Sequence, residues 1–195
     1  MKAAKGGPTT WPADPAAVAR GSDALIVAVV DAVQTRDVLL GEQGALKALA
    51  PGAVVLLCPT IAPQDVENLA DTLARHGVDC IDAPMSGGPV RARDGTMSLM
   101  VACADAVFDR WRTLLDDLSS RLFRIGPTPG DGARTKLVNN LLATVNLAGA
   151  AEARDLGLDD ELDDPGTLVV IEWPERAEAA IPPAGLRIAI QPVSV

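Results

Sequence analysis

The run Ala24-Leu25-Ile26-Val27-Ala28-Val29-Val30 has no polar face. It is short and rich in β-branched residues, so it predicts a strand buried on both sides. Ala53-Val54-Val55-Leu56-Leu57-Cys58 is a second run of the same kind. Between them, Val33 to Leu49 reads as helical with an interruption near Gly41 and Gly44, and Pro51-Gly52 as a turn. Doubly buried strands separated by helices restrict the chain to an α/β architecture: a mostly parallel, Rossmann-like sheet with flanking helices.

The rest of the pattern extends that architecture. Asp14-Pro15 supplies an N-cap acid followed by Pro at the first helical position, and the helix ends by Gly21. Pro63 opens an amphipathic helix with Val66, Leu69, Ala70 and Leu73 at helical spacing, stopped by Gly77. Val78 to Ile81 and Thr96 to Cys103 predict a third and a fourth strand. Residues 105–118 predict a helix with Val107, Trp111, Leu114, Leu115 and Leu118 on one side. Arg121 to Ile125 predicts a fifth strand, and a loop rich in Gly and Pro leads to a long helix from Ala133 to Leu156. Ligands of such folds bind at the carboxyl ends of the strands, so the residues just after each strand are where chemistry is expected.

Composition narrows the function. Of the 195 residues, 48% are hydrophobic but only 3% aromatic, with no Tyr, so the core must be aliphatic. The formal net charge of −9 disfavours nucleic acid as a partner. Cys58, Cys80 and Cys103 lie far apart and share no metal-type spacing with His76, so no metal site is expected. Isolated thiols in apolar runs point to a reducing, cytoplasmic setting. No apolar run approaches a membrane span, and no signal segment is evident.

Two motifs carry possible chemistry. Asp82-Ala83-Pro84-Met85-Ser86-Gly87-Gly88 follows a predicted strand. Its adjacent glycines allow close backbone approach, and Ser86 with the glycine amides could hold a carboxylate or phosphate. The same residues also suit an ordinary strand-to-helix turn. Gly130-Asp131-Gly132-Ala133-Arg134-Thr135-Lys136-Leu137-Val138-Asn139-Asn140 places glycines before a helix, where free amides could bind an anion. It is not a P-loop, because the Lys does not directly follow the second Gly. Lys136 and Asn140 share a helix face with Asn139 nearby, while Leu137, Val138, Leu141 and Val145 lie opposite. That face is either solvated or holds a desolvated lysine able to exchange protons near neutral pH. Thr60, in Pro59-Thr60-Ile61-Ala62-Pro63, and Asp31, just past the first run, could each contact a cofactor or simply form turns. The acid-rich stretch Asp155 to Asp164 lacks calcium-loop spacing and reads as a solvated linker.

In order, Thr-Ile-Ala-Pro, Asp-Ala-Pro-Met-Ser-Gly-Gly, Gly-Thr-Met-Ser-Leu-Met-Val and Gly-x-Gly-x-x-x-Lys-Leu-Val-Asn-Asn resemble the 3-hydroxyisobutyrate (β-hydroxyacid) dehydrogenase family over residues 14–154. Val29 to Thr35 and Cys58 to Pro63 look most like its L-threonate dehydrogenase branch. The resemblance implies hydride transfer from a small 3-hydroxy acid to NAD or NADP. It implies that Ser86, Gly87 and Gly88 hold the substrate carboxylate, that Lys136 is the general acid/base and that Asn140 orients the substrate or Lys136. Val30, Asp31, Thr35 and Thr60 would line the cofactor.

The family also implies an opening strand and a Gly-x-Gly-x-x-Gly turn, which residues 1–13, read as a loose arm, do not contain. The expectation is therefore a truncated domain with weak cofactor binding. Its parts are a partial NAD(P)-binding domain over 14–131, a long catalytic helix over 132–156, and an acidic linker with a small β-rich tail over 157–195. That tail, from Leu156-Gly157-Leu158-Asp159-Asp160 through Glu172-Trp173-Pro174-Glu175, resembles the carboxyl end of the ATPase subunit of the tRNA threonylcarbamoyladenosine synthesis system, without its Walker A loop. Two alternatives stay open: a non-catalytic fusion remnant or protein-binding module, and a fragment of that ATPase. An exposed sheet edge would invite self-association, or cover by a tail strand around Leu168 to Ile171.

Overall fold

The structure is a computed structural model, and it describes residues 14–155. The expectations for the arm and for the tail, including its strand, lie outside the described residues. The chain divides into two units between Leu141 and Leu142.

The first unit holds a six-stranded sheet. Its strands are β1 (Ala24–Val27), β2 (Val54–Leu57), β3 (Asp79–Asp82), β4 (Met85–Ser86), β5 (Ser98–Ala102) and β6 (Arg121–Gly126). The spatial order is β1-β2-β3-β5-β4, with β6 also on β5. β1–β2, β2–β3 and β5–β6 pair in parallel, and β5 runs antiparallel to β3 and β4. The helices are α1 (Pro15–Ala19), α2 (Ala32–Leu40), α3 (Pro63–Arg75), α4 (Gly88–Asp94), α5 (Asp105–Leu118) and α6 (Asp131–Asp155). α6 continues past Leu141, and its residues from Leu142 to Gly149 are exposed.

β2 shows why an apolar run without a polar face becomes a central strand. Val55 and Leu57 enter one core with α3 residues Val66, Leu69 and Leu73. Val54 and Leu56 enter the opposite core with Ile81, Val101 and Leu115. Side chains alternate across a strand, so a strand covered on both faces can carry no polar position.

β1 departs from the double burial predicted for it. It spans only Ala24–Val27 and has β2 as its one strand partner among the described residues. Leu25 and Val27 are buried while Ile26 is 44% exposed. Only one face of β1 is well covered, and residues 28–30 leave the sheet to reach α2.

The helices follow their local signals. Asp14 caps α1 by accepting the Ala17 amide, and Asp31 caps α2 by accepting the Gln34 amide at 2.8 Å. α2 ends at Gly41, and a single 3-10 turn at Ala45–Lys47 follows, so the interruption expected near the glycines is a true break. Two elements are missed in the sequence: the two-residue strand β4 and α4, which starts directly at Gly88. α6 begins at Asp131, before the expected start.

Candidate active site

The Ser86-Gly87-Gly88 motif sits where β4 passes into α4. Ser86 pairs with Ser98 across β4–β5. Gly87 has φ +138°, and a Cβ there would lie 2.8 Å from Arg91 side-chain carbons. Gly88 has φ +66° with open space around it, so conformation rather than crowding selects glycine there. The turn is therefore built as a turn, and it leaves Gly88 exposed.

Lys136 lies on the second turn of α6, on the face that meets the sheet. Gly132, one turn earlier on that face, is pressed so close that a Cβ would come within 2.8 Å of the Met100 carbonyl oxygen and 3.0 Å of the Asp82 carboxylate. Met100 neighbours Leu99, the partner of Met85. Both motifs are thus built onto the same stretch of β5. Lys136 is only 8% exposed and makes no ion pair among the described residues. Burial with no compensating carboxylate lowers its pKa below the ordinary lysine range. Asn139 is half-buried and Asn140 exposed on the same helix.

The free amides expected before α6 are not free. Asp82, at the end of β3 and 1% exposed, accepts hydrogen bonds from the Gly130 amide at 2.8 Å and the Ala133 amide at 3.0 Å. The anion at this helix start is the protein's own. Burial pushes the Asp82 carboxyl up, while the amides of Ala133, Gly130 and Gly132 pull it back down; the upward push prevails. Arg134 ties the same turn to α3 through Glu67 and to its own helix through Asp131. Asp82 lies in the Asp82-to-Gly88 motif, but the local pattern assigns it no role. The available signal was an acid directly after Cys80-Ile81 in a buried strand, since a buried charge requires partners.

Past the carboxyl ends of β1 and β2 lie the residues expected at a cofactor. Val30 is 78% and Val33 77% exposed. Asp31 and Thr60 are exposed too. Thr35 is fully buried and donates its hydroxyl to the Asp31 carbonyl at 2.6 Å, so its side chain braces the start of α2. Val30, Asp31, Val33 and Thr60 are thus all exposed past the carboxyl ends of β1 and β2.

Parallel strands β1–β3 with flanking helices have the architecture of dinucleotide-binding α/β domains, whose ligands lie past the carboxyl ends of the strands. Residues 1–126 match the NAD binding domain of 6-phosphogluconate dehydrogenase, and the chain belongs to that family. An L-threonate dehydrogenase of Escherichia coli O6:H1 is 42% identical over 134 residues, which are 69% of this chain and 44% of the relative. A 3-hydroxyisobutyrate dehydrogenase of Pseudomonas aeruginosa is 34% identical over 143 residues, 73% of this chain and 48% of the relative. The chain thus spans under half the length of these two curated relatives. The crystal structure of a 3-hydroxyisobutyrate dehydrogenase from Salmonella typhimurium superposes with a TM-score of 0.68 at 33% identity, over 85% of this chain and 61% of that one. Among the described residues, no helix is long and apolar enough to cross a membrane.

Proposed function

We propose that this chain supplies the substrate-holding and proton-transfer elements of a nicotinamide-dependent dehydrogenase acting on a small 3-hydroxy acid. The observation that carries the proposal is Lys136: a buried amine without an ion pair among the described residues, on a helix docked to the same β5 segment as Ser86-Gly87-Gly88. A lysine with a lowered pKa has more of its neutral form near pH 7, so it can take the hydroxyl proton of an alcohol under oxidation. Ser86 and the Gly87 and Gly88 amides would hold the substrate carboxylate, and Asn140 would orient substrate or amine. NAD or NADP, when bound, supplies the hydride acceptor. Val30, Asp31 and Thr60 would contact it, with Thr35 bracing Asp31 from behind.

The L-threonate dehydrogenase relatives favour a threonate-like substrate over 3-hydroxyisobutyrate. We assign 14–131 to the cofactor domain, 132–156 to the catalytic helix and 157–195 to a linker and tail. For the tail, Ile171-Glu172-Trp173-Pro174-Glu175 supports kinship with the ATPase subunit named above. The unpaired Cys58, Cys80 and Cys103 support a reducing, cytoplasmic setting.

The test is titration calorimetry with NADH and NADPH, followed by nicotinamide reduction with L-threonate and 3-hydroxyisobutyrate. Weak cofactor binding, and turnover abolished by Lys136→Ala, are expected. No binding at millimolar cofactor would remove the dehydrogenase proposal for this chain. A second, non-catalytic reading is favoured by β1, whose outer edge has no strand partner among the described residues and whose Ile26 is exposed. Concentration-dependent dimerisation in analytical ultracentrifugation, lost in an Ile26→Lys variant, would support it.

A further inference from the structure

We propose that Asp82 is a positioning residue for Lys136, its carboxylate seating the first turn of α6 on the β3–β5 junction and so fixing how deeply the lysine amine is buried. The proposal rests on the dehydrogenase reading for its effect on turnover, but not for its effect on the amine.

Three observations converge on it. The first is the bonding. A helix start leaves its first amides without partners inside the helix, and here Gly130 and Ala133 donate theirs to one buried oxygen of Asp82. The second is the fit. Gly132 lies so close to the Met100 carbonyl and the Asp82 carboxylate that no side chain can stand between helix and sheet. The third is the register. Lys136 follows Gly132 by one helical turn, so its depth is set by how closely Gly132 approaches β5. The Arg134–Glu67 pair holds the other side of this turn against α3. That pair is half exposed and is a weaker tether than a buried carboxylate with two amide donors.

The carboxylate has a cost that an uncharged acceptor would avoid. Burial raises the Asp82 pKa despite its amide donors. A group raised in the folded state gives stability that is lost as pH rises through its folded value. An asparagine oxygen can accept the same amides without that cost. Asp82→Asn should therefore keep the helix seated, whereas Asp82→Ala leaves the amides unsatisfied.

The experiment follows the Lys136 side chain by NMR with lysine labelled at Cε and Nζ, assigned through Lys136→Arg, across pH in the full chain. In the wild type its titration should lie below the ordinary lysine range. In Asp82→Ala it should move up toward the ordinary lysine range, and the Ala133 amide should exchange about tenfold faster or more, as expected for loss of a buried hydrogen bond. Asp82→Asn should restore both readings toward wild type. Gly132→Ala keeps the carboxylate but lifts the helix, and it should shift Lys136 in the same direction. If Asp82→Ala does not fold, Gly132→Ala and Asp82→Asn decide the matter. An unchanged Lys136 titration in a folded Asp82→Ala, or in Gly132→Ala, overturns the proposal. A shifted titration in a chain that binds no cofactor would sustain the positioning role and count only against the dehydrogenase reading.

Discussion

The sheet-facing and outward faces of α6 up to Leu141 reverse the usual arrangement of a helix on a sheet. The inner face is Gly132, Ala133 and Lys136, all buried. The outer face is Leu137, Val138 and Leu141, which are 43%, 56% and 63% exposed. α3 is arranged the ordinary way, with Val66, Leu69 and Leu73 inward at 1–2% exposure. α3 is held by apolar area removed from water. The start of α6 is held by close backbone approach and by hydrogen bonds to Asp82. The close backbone contact of Gly132 fixes the separation of α6 from the sheet, and with it the depth at which Lys136 is buried.

The contrast can be broken most severely from the α3 side. Leu69→Ala removes a fully packed side chain and should cost about 2–5 kcal/mol in chemical denaturation. Next comes the backbone contact: Gly132→Val should cost about 1–3 kcal/mol by overpacking against Met100 and Asp82. It should also abolish any Lys136-dependent turnover, because the amine moves with the helix.

A pH experiment sharpens the contrast on the lysine. Lys136 has a lowered folded pKa, so the unfolded chain binds more protons between that value and the ordinary lysine range. Stability from this group is therefore lost as pH falls through the window and recovered as pH rises toward the ordinary value. Lys136→Met should be more stable than wild type near neutrality, and the gap should close in alkali. Denaturation midpoints at several pH values would check the sign. The smallest effect belongs to the outer face. Leu141→Gln should change stability by no more than about 0.5 kcal/mol if that face is open in solution. A loss of several kcal/mol would mean that something covers it.

Much of this was legible from residue order. β2 announced itself because a strand covered on both faces cannot hide a polar residue, and α3 because its caps and stripe agree. α5 matched its expected limits, Asp105–Leu118, for the same reason. The start of β1 was legible too, but its burial was not, since the same apolar letters serve a central strand and an edge strand. α4 was missed because Ser86-Gly87-Gly88 reads as a turn, which it is, and the short helix behind it has no buried side chain.

The site divides along the same line. The sequence by itself determined the α/β class, the lysine-bearing helix and the glycine turns, because each rests on periodicity or on backbone conformations that few residues adopt. Only the tertiary structure decided that Lys136 is buried without an ion pair among the described residues, that Thr35 faces inward, and that the amides before α6 belong to Asp82. Those properties depend on which distant segment packs against each residue, and the contact between Asp82 and Gly132 joins positions that local pattern cannot relate.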